Sequence, residues 1–407
     1  MTIHGVVDND IFPARFGGSQ RSFGLARGLA RRHRVRMLCV VPNRSEGAAD
    51  ERVAGVELRR RKAWHTSLAW RLEQAKLAPL FAAEAGHRGN AARYAAALAA
   101  PPYGSAGGAD GAEHPDVLTA DLNVSAVLER AKAPLRVYTS HNVEYDRFTH
   151  AAPPVAMRAS WASRLRAIEQ RAVASADFTV VCTDDDAHRM RELYGAGAER
   201  FTVIPNGFDE TELRAPLPGE REAARAALGF APDEYVAVFV GADWGPNREA
   251  LAVLTGRVMP ALAGERVKLL VVGTVTRALA GRREPWLVAH GEAAAILPLL
   301  HAADAGVNPV LTGGGSNVKV PTYLAAGLAV VTTPFGVRGY APLEPHVVVA
   351  ETDDFADALR ARPAGHAARA ERAPEALGEY AWGRLGERLG EDMERRLRTA
   401  AGTKGAA

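Results

Sequence analysis

Residues Thr312 to Gly339 read TGGGSNVKVPTYLAAGLAVVTTPFGVRG. A glycine cluster leads into a stretch that predicts a short helix ending at Ala325-Ala326-Gly327, and the apolar run Leu328–Thr332 predicts a strand after it. Backbone stripped of side chains exposes its N–H groups, and a helix N-terminus adds a partial positive charge. Lys319, within the first turn, adds a full one. The N–H groups of Gly314, Gly315, Ser316 and Asn317 beside the Lys319 ammonium therefore suit a diphosphate. A glycine-rich turn with a solvated lysine is the plainer alternative.

Other residues carry chemistry of the same kind. Phe16-Gly17-Gly18-Ser19 follows the first apolar run and precedes a helix, so Gly17 and Gly18 let a ligand approach the backbone, or simply make a tight turn. The run Tyr138-Thr-Ser-His141-Asn142-Val-Glu144 puts His141 just past a strand end, on a carboxyl edge where open α/β sheets bind ligands. His4, His33 and His188 read as structural or solvated. Gly273 ends another strand and allows close approach of a ligand. Asp184-Asp185-Asp186 has the look of a metal motif, but Thr183 or Asp184 as N-cap with acids in the first turn accounts for it. Arg59, Arg60, Arg61 and Lys62 with Trp64, Trp70, Arg71 and Lys76 form a basic–aromatic stretch. It reads as the solvated face of a helix, with a peripheral contact to anionic membrane or a phosphate-bearing acceptor as the alternative.

These residues need elements to position them. Apolar runs predict strands at Ile3–Val7, Val35–Val41, Val117–Thr119, Leu135–Thr139, Phe178–Cys182 and Phe201–Ile204. A second series follows at Tyr235–Val240, Val267–Val272, Ala305–Val307, Ala329–Thr332 and His346–Ala350. Helix-length amphipathic stretches alternate with them, which implies parallel sheets buried on both faces. The break near Pro205–Pro218, rich in turn residues, separates two such series. Ala82–Pro115 predicts an Ala-rich helix and then a glycine-rich surface loop over Gly104–Ala112, and Ala373 to about Leu397 predicts a charged helix before a frayed tail, Thr399–Ala407.

Bulk properties agree with two α/β domains. A chain of 407 residues exceeds one ordinary core, and 47% hydrophobic with 24% charged residues is globular. A net charge of +3 gives no support for nucleic-acid binding. The two cysteines, Cys39 and Cys182, lie in apolar runs and read as small core residues of a reducing compartment. The opening MTIHGVVDNDIFP has neither a basic nor an apolar leader region, so the expectation is a cytoplasmic protein, with any membrane contact peripheral at the inner face.

Several of these stretches together resemble the retaining family-4 glycosyltransferases (glycosyl transferases group 1) of GT-B fold. The glycine–lysine segment is similar to their donor signature. Pro13, Gly17, Gly18 and Arg21 match the family's opening pattern, and Val203-Ile-Pro-Asn-Gly-Phe-Asp209 matches its interdomain marker. The run Ala289-His-Gly-Glu292 resembles its nucleobase-holding stretch, and Leu297–Ala305 the helix that follows. The elements occur in family order from Gly17 to Trp382. The resemblance implies two Rossmann-like, doubly wound parallel-sheet domains facing a cleft. Residues 1–208 would be the acceptor-side domain and 209–378 the nucleotide-sugar-binding domain. Residues 379–407 would cross back to the first domain, anchored by Tyr380-Ala-Trp382.

The implied reaction transfers a sugar, with retention and without metal or cofactor, from a nucleoside diphosphate sugar to a hydroxyl of a glycan, glycolipid or secondary metabolite. By the resemblance, Lys319 and His141 are the catalytic residues. Gly17, Gly18, Asp243, Arg248, Gly273, Gly314, Gly315, Ser316, Asn317 and Thr322 bind the donor, with Asn142 and Glu144 on the acceptor side. The chain departs from the pattern in places. The family's two glutamates fall on Gly314 and Thr322, and its two clamp cations on Ala242 and Asn247, leaving Arg248 as the neighbouring substitute. A GT-B-shaped binding or scaffold protein, or another sugar-nucleotide enzyme on this scaffold, therefore stays open; a phosphorylase would need a pyridoxal lysine that is not evident.

Overall fold

The computed structural model describes residues 1–14, 16–43, 50–74, 78–100, 114–150, 158–279 and 281–405. The expected loop Gly104–Ala112, Lys76 and the side chain of Trp70 lie outside them. The chain forms two compact units, Met1–Ile204 with Trp382–Ala407, and Pro205–Ala381.

The first unit is built on β1 (Thr2–Val7), β2 (Arg34–Pro42), β3 (Glu51–Val53), β4 (Val56–Ala63), β5 (Val117–Ala120), β6 (Leu135–Thr139), β7 (Phe178–Val181) and β8 (Phe201–Val203). They make one sheet, ordered β3-β4-β2-β1-β5-β6-β7-β8, parallel except where β3 pairs with β4. Side chains alternate between its faces, and both faces are covered. In β2, Val35, Met37, Cys39 and Val41 enter one apolar core while Leu38 and Val40 enter the other. The first core also takes Phe23, Leu25 and Leu29 from helix Gly17–Ala30, and Trp382, Leu385, Leu389 and Met393 from the last helix. Those two helices meet backbone to backbone. A Cβ on Gly24 would lie 2.4 Å from the Trp382 ring, and one on Gly28 2.3 Å from the Trp382 carbonyl oxygen.

The second unit carries β9 (Tyr235–Val240), β10 (Val267–Val272), β11 (Leu287–Gly291), β12 (Ala305–Asn308), β13 (Ala329–Thr332) and β14 (Val348–Val349). Its order is β11-β10-β9-β12-β13-β14, with every neighbour parallel. The same alternation appears in β9, where Val236 and Val238 face one core and Tyr235, Ala237 and Phe239 the other. Loops after β9, β10, β12 and β13 leave the sheet at one carboxyl edge, and that edge gathers the chemistry-bearing residues of this unit.

Three expectations are corrected. Arg59–Lys62 of the basic–aromatic stretch lie in strand β4 and not in a helix, whereas Trp64 and Arg71 fall, exposed, in the helix Trp64–Gln74. Arg59 and Arg60 are 2% and 6% exposed, Arg59 pairing with Glu57 at 2.7 Å and Arg60 with Asp10 at 2.8 Å and Glu51 at 2.5 Å. Buried and paired, these two offer no free charge, whereas Arg61, paired with Asp50, and Lys62 are exposed and Trp64 is 65% exposed. The C-terminal helix starts at Trp382 instead of Ala373, because Pro374 and the 3-10 turn Glu375–Tyr380 occupy the earlier residues, and it runs on to Gly405 instead of fraying at Thr399. The last strand shrinks to Val348–Val349, since a 3-10 turn with Pro345 inside it extends to His346. Among the described residues no helix is long and apolar enough to cross a membrane.

Candidate functional site

In the second unit the glycine segment is an irregular loop between β12 and the seven-residue helix Lys319–Ala325. Gly313 and Gly315 adopt φ of +129° and +63°, conformations that side chains disfavour. Three neighbours fasten the loop. Asn206 donates from its backbone N to Ser316 Oγ at 2.8 Å and from Nδ2 to the Ser316 carbonyl at 2.6 Å. Arg338 Nη2 donates to the Gly315 carbonyl at 2.6 Å, and Thr312 Oγ1 to Glu249 at 2.6 Å. The Gly315 and Ser316 carbonyls and the Ser316 hydroxyl oxygen are thus occupied, whereas the loop's backbone donors are not. Among the described residues, the backbone N–H groups of Gly313 through Val318 have no acceptor within the protein. A run of unpaired donors on a fixed loop is a site for an anion's oxygens.

Lys319 lies beside this run and is 8% exposed. Its Nζ donates to Asn247 Oδ1 at 2.8 Å and sits 5.3 Å from the centroid of the Phe239 ring. Burial pulls its pKa down to about 8. Asn247 is itself oriented by an Nδ2 bond to the Ala242 carbonyl at 2.9 Å. At the position where the resemblance places a second cation, the chain therefore has a neutral amide that holds the first one. Arg248 turns instead to Asp243, Nε to Oδ1 at 2.6 Å, and that hydrogen bond lowers the Asp243 pKa. Arg248 is exposed and Asp243 half-buried, and their charges cancel locally.

Gly273, at φ +100°, is required sterically: a Cβ there would lie 2.3 Å from the Gly241 carbonyl oxygen. Thr322 is half-buried in the short helix, and its hydroxyl has no partner among the described residues. Asp243, Gly273, Gly314–Asn317, Lys319 and Thr322 all belong to this unit, together with Asn206, Asn247 and Arg338, which the sequence did not single out as ligand residues. Their signal was weak, since each acts through a fold contact.

In the first unit, the carboxyl ends of β1, β5 and β6 bring Asp8, Asp121 and His141 into one cluster. His141 Nε2 lies 3.2 Å from Asp121 Oδ2, and Thr139 Oγ1 donates to Asp121 Oδ1 at 2.7 Å. Burial works against the imidazolium, but the Asp121 charge and hydrogen bond outweigh it and raise the His141 pKa. Its Nδ1 is buried without a partner. Burial also raises Asp8, opposed by the Asn123 Nδ2 bond at 2.6 Å and reinforced by the Asp121 charge. Asn142 donates to Glu144 at 2.7 Å, and Glu144 accepts from Arg147 at 2.5 Å, so both are committed to one another. Glu169, pushed up to about 7 by burial, receives the backbone N–H groups of Glu144 and Tyr145 at 2.8 and 3.1 Å and fixes that turn. Gly17 begins its helix in open space: a Cβ there would touch nothing within 4 Å, and at Gly18 it would meet only the Phe16 ring, 3.2 Å away. Thr183 accepts from Asp186 N at 3.0 Å, so the triple aspartate is the first turn of a capped helix. Among the described residues no group of three or more His, Cys, Asp or Glu is placed to hold a metal ion.

Residues 234–362 match the family described as Glycosyl transferases group 1, and residues 16–207 match the Glycosyl transferase 4-like domain. The chain belongs to the group 1 glycosyl transferases. Its fold is GT-B. Sucrose-phosphate synthase from Thermosynechococcus elongatus superposes with a TM-score of 0.64 at 17% identity, over 100% of this chain and 98% of that one. HepE from Anabaena, in complex with UDP and glucose, gives 0.60 at 17% identity over 96% and 99%. In sequence, a D-inositol 3-phosphate glycosyltransferase from Nocardia farcinica is 47% identical over 73 residues, which is 18% of this group 1 chain and 16% of that relative.

Proposed function

We propose that this protein transfers a sugar from a nucleoside diphosphate sugar to a hydroxyl acceptor, with retention at the anomeric carbon and without a metal ion. The observation that carries the reading is the run of unengaged N–H groups from Gly313 to Val318 beside the buried Lys319 ammonium. Backbone donors and a cation on a rigid loop match the charge that builds on a departing diphosphate. The short helix Lys319–Ala325 adds little dipole of its own, so the amides and the lysine do this work.

In the proposed step the bond between the anomeric carbon and the β-phosphate oxygen breaks, and its electron pair stays on that oxygen. The acceptor oxygen bonds to the same carbon from the same face and passes its proton to the departing phosphate oxygen. No strong protein base is needed, and the residues act by stabilising charge. In the first unit, His141 oriented by Asp121 is suited to hydrogen-bond a sugar hydroxyl, and the open backbone at Gly17 admits a ligand close to the chain.

HepE, of like fold, binds UDP, which supports UDP as the first nucleotide to try. A thermal-shift screen with UDP-, GDP-, ADP-, CMP- and dTDP-sugars tests the reading. One of them at about a hundred times its Kd should stabilise the protein by roughly 2–3 kcal/mol, seen as a rise in Tm. No shift with any of them would remove the donor-site reading. Thr322, where the family pattern has a glutamate, favours a second reading, a protein that binds the nucleotide sugar without turning it over. That reading predicts a shift with no release of free nucleotide on adding acceptors.

A further inference from the structure

We propose that Arg338 is the second cation of the diphosphate site and binds the β-phosphate alongside Lys319. This rests on the donor-site reading above. The loop after β9 brings no free charge: Ala242 and Asn247 are neutral, and Arg248 is paired with Asp243. Arg338 comes from the opposite flank, after the short helix Pro334–Val337 that follows β13. Its Nη2 bond to the Gly315 carbonyl, at 2.6 Å, brings the guanidinium onto the loop whose N–H groups lack acceptors. Its Cζ lies 4.3 Å from the Phe335 ring centroid, a stacking contact that limits how the fork can turn.

Two further observations point to a ligand. Among the described residues no carboxylate lies within ion-pair distance of Arg338, so its charge is uncompensated. Its Nε is also buried with no acceptor, a costly state for a charged donor. A residue needed only to tie down Gly315 would use one donor and could be neutral. A guanidinium with spare donors, held over a ring and, among the described residues, unpaired with any acid, fits two phosphate oxygens.

The test uses the full chain with Arg338→Gln and Arg338→Lys. Calorimetry measures affinity for whichever of UDP, GDP, ADP and dTDP binds the wild type most tightly, and for the matching monophosphate. Arg338→Gln should weaken the diphosphate about tenfold or more while changing the monophosphate less than about threefold, because the lost contact is to the β-phosphate. Arg338→Lys keeps the charge without the fork and should lose about threefold for the diphosphate. Unchanged diphosphate affinity in Arg338→Gln, or equal losses for both nucleotides, overturns the assignment. Should that variant fail to fold, unchanged diphosphate affinity in Arg338→Lys overturns it instead. Wild-type protein that binds none of the four diphosphates fails earlier, and sinks the donor-site reading together with this one.

Discussion

Lys319 is held by an amide and not by an acid. Its Nζ rests on Asn247 Oδ1 at 2.8 Å, so its position is fixed while its charge stays available to an anion. Burial lowers its pKa from 10.5 to about 8. The ammonium is therefore present below about pH 8 and lost as pH rises through it. The unfolded chain keeps that proton up to 10.5, so the group costs stability below pH 8, and the cost is relieved between 8 and 10.5. For turnover, kcat/KM for the nucleotide-sugar donor should fall above about pH 8 by roughly tenfold per unit, reporting the free enzyme. Lys319→Ala should lower kcat/KM by at least about tenfold and abolish that limb; an unaltered pH profile in the variant would show that the lysine does not meet the donor.

Lys319 was legible because a lone lysine after a glycine cluster is a local pattern. Asn247, Asn206 and Arg338 were not, since their partners lie 72, 110 and 23 residues away and only the fold brings them together. The Asp121 support of His141, 20 residues away, was hidden for the same reason.

At the scale of elements, glycine means different things in one helix. Gly24 and Gly28 of helix Gly17–Ala30 face the last helix with no room for a methyl, while Gly17 at the start of the same helix faces open space. Gly24→Ala should therefore destabilise by about 1–3 kcal/mol through overpacking against Trp382. Gly17→Ala should change stability by less than about 1 kcal/mol yet slow sugar transfer, since it narrows a place where the chain itself needs no glycine. Thermal melts and initial rates on both variants separate the two roles, and equal melting losses would erase the distinction.

Most strands were readable as apolar runs bounded by turns. Strand β4 was not, because Arg59 and Arg60 are buried within it and reach Glu57, Asp10 and Glu51. Charge signals exposure in a sequence unless the pairing is known. Strand β11 was missed for a different reason: it is an edge strand, and its Ala289 and His290 are exposed. The start of the last helix was misread across Pro374, where a turn of 3-10 geometry comes first.

Over the whole molecule, the two series of βαβ units gave the right class because parallel sheets covered on both faces demand apolar strands in regular alternation with helices. Strand order in each sheet, and the return of Trp382–Ala407 to the first unit, come from long-range packing that no local pattern encodes. Each sheet places its polar cluster at the carboxyl edge. One cluster offers an imidazole steadied by a carboxylate, the other a loop of N–H donors with a buried lysine.

The central claim is that this second cluster grips two linked phosphates, and a crystal of the protein soaked with UDP-glucose or GDP-mannose shows it directly. The phosphate oxygens should lie within about 3 Å of backbone N–H groups between Gly313 and Val318 and of Lys319 Nζ. A nucleotide sugar bound with its phosphates elsewhere, or with Lys319 still facing Asn247 alone, would contradict the account.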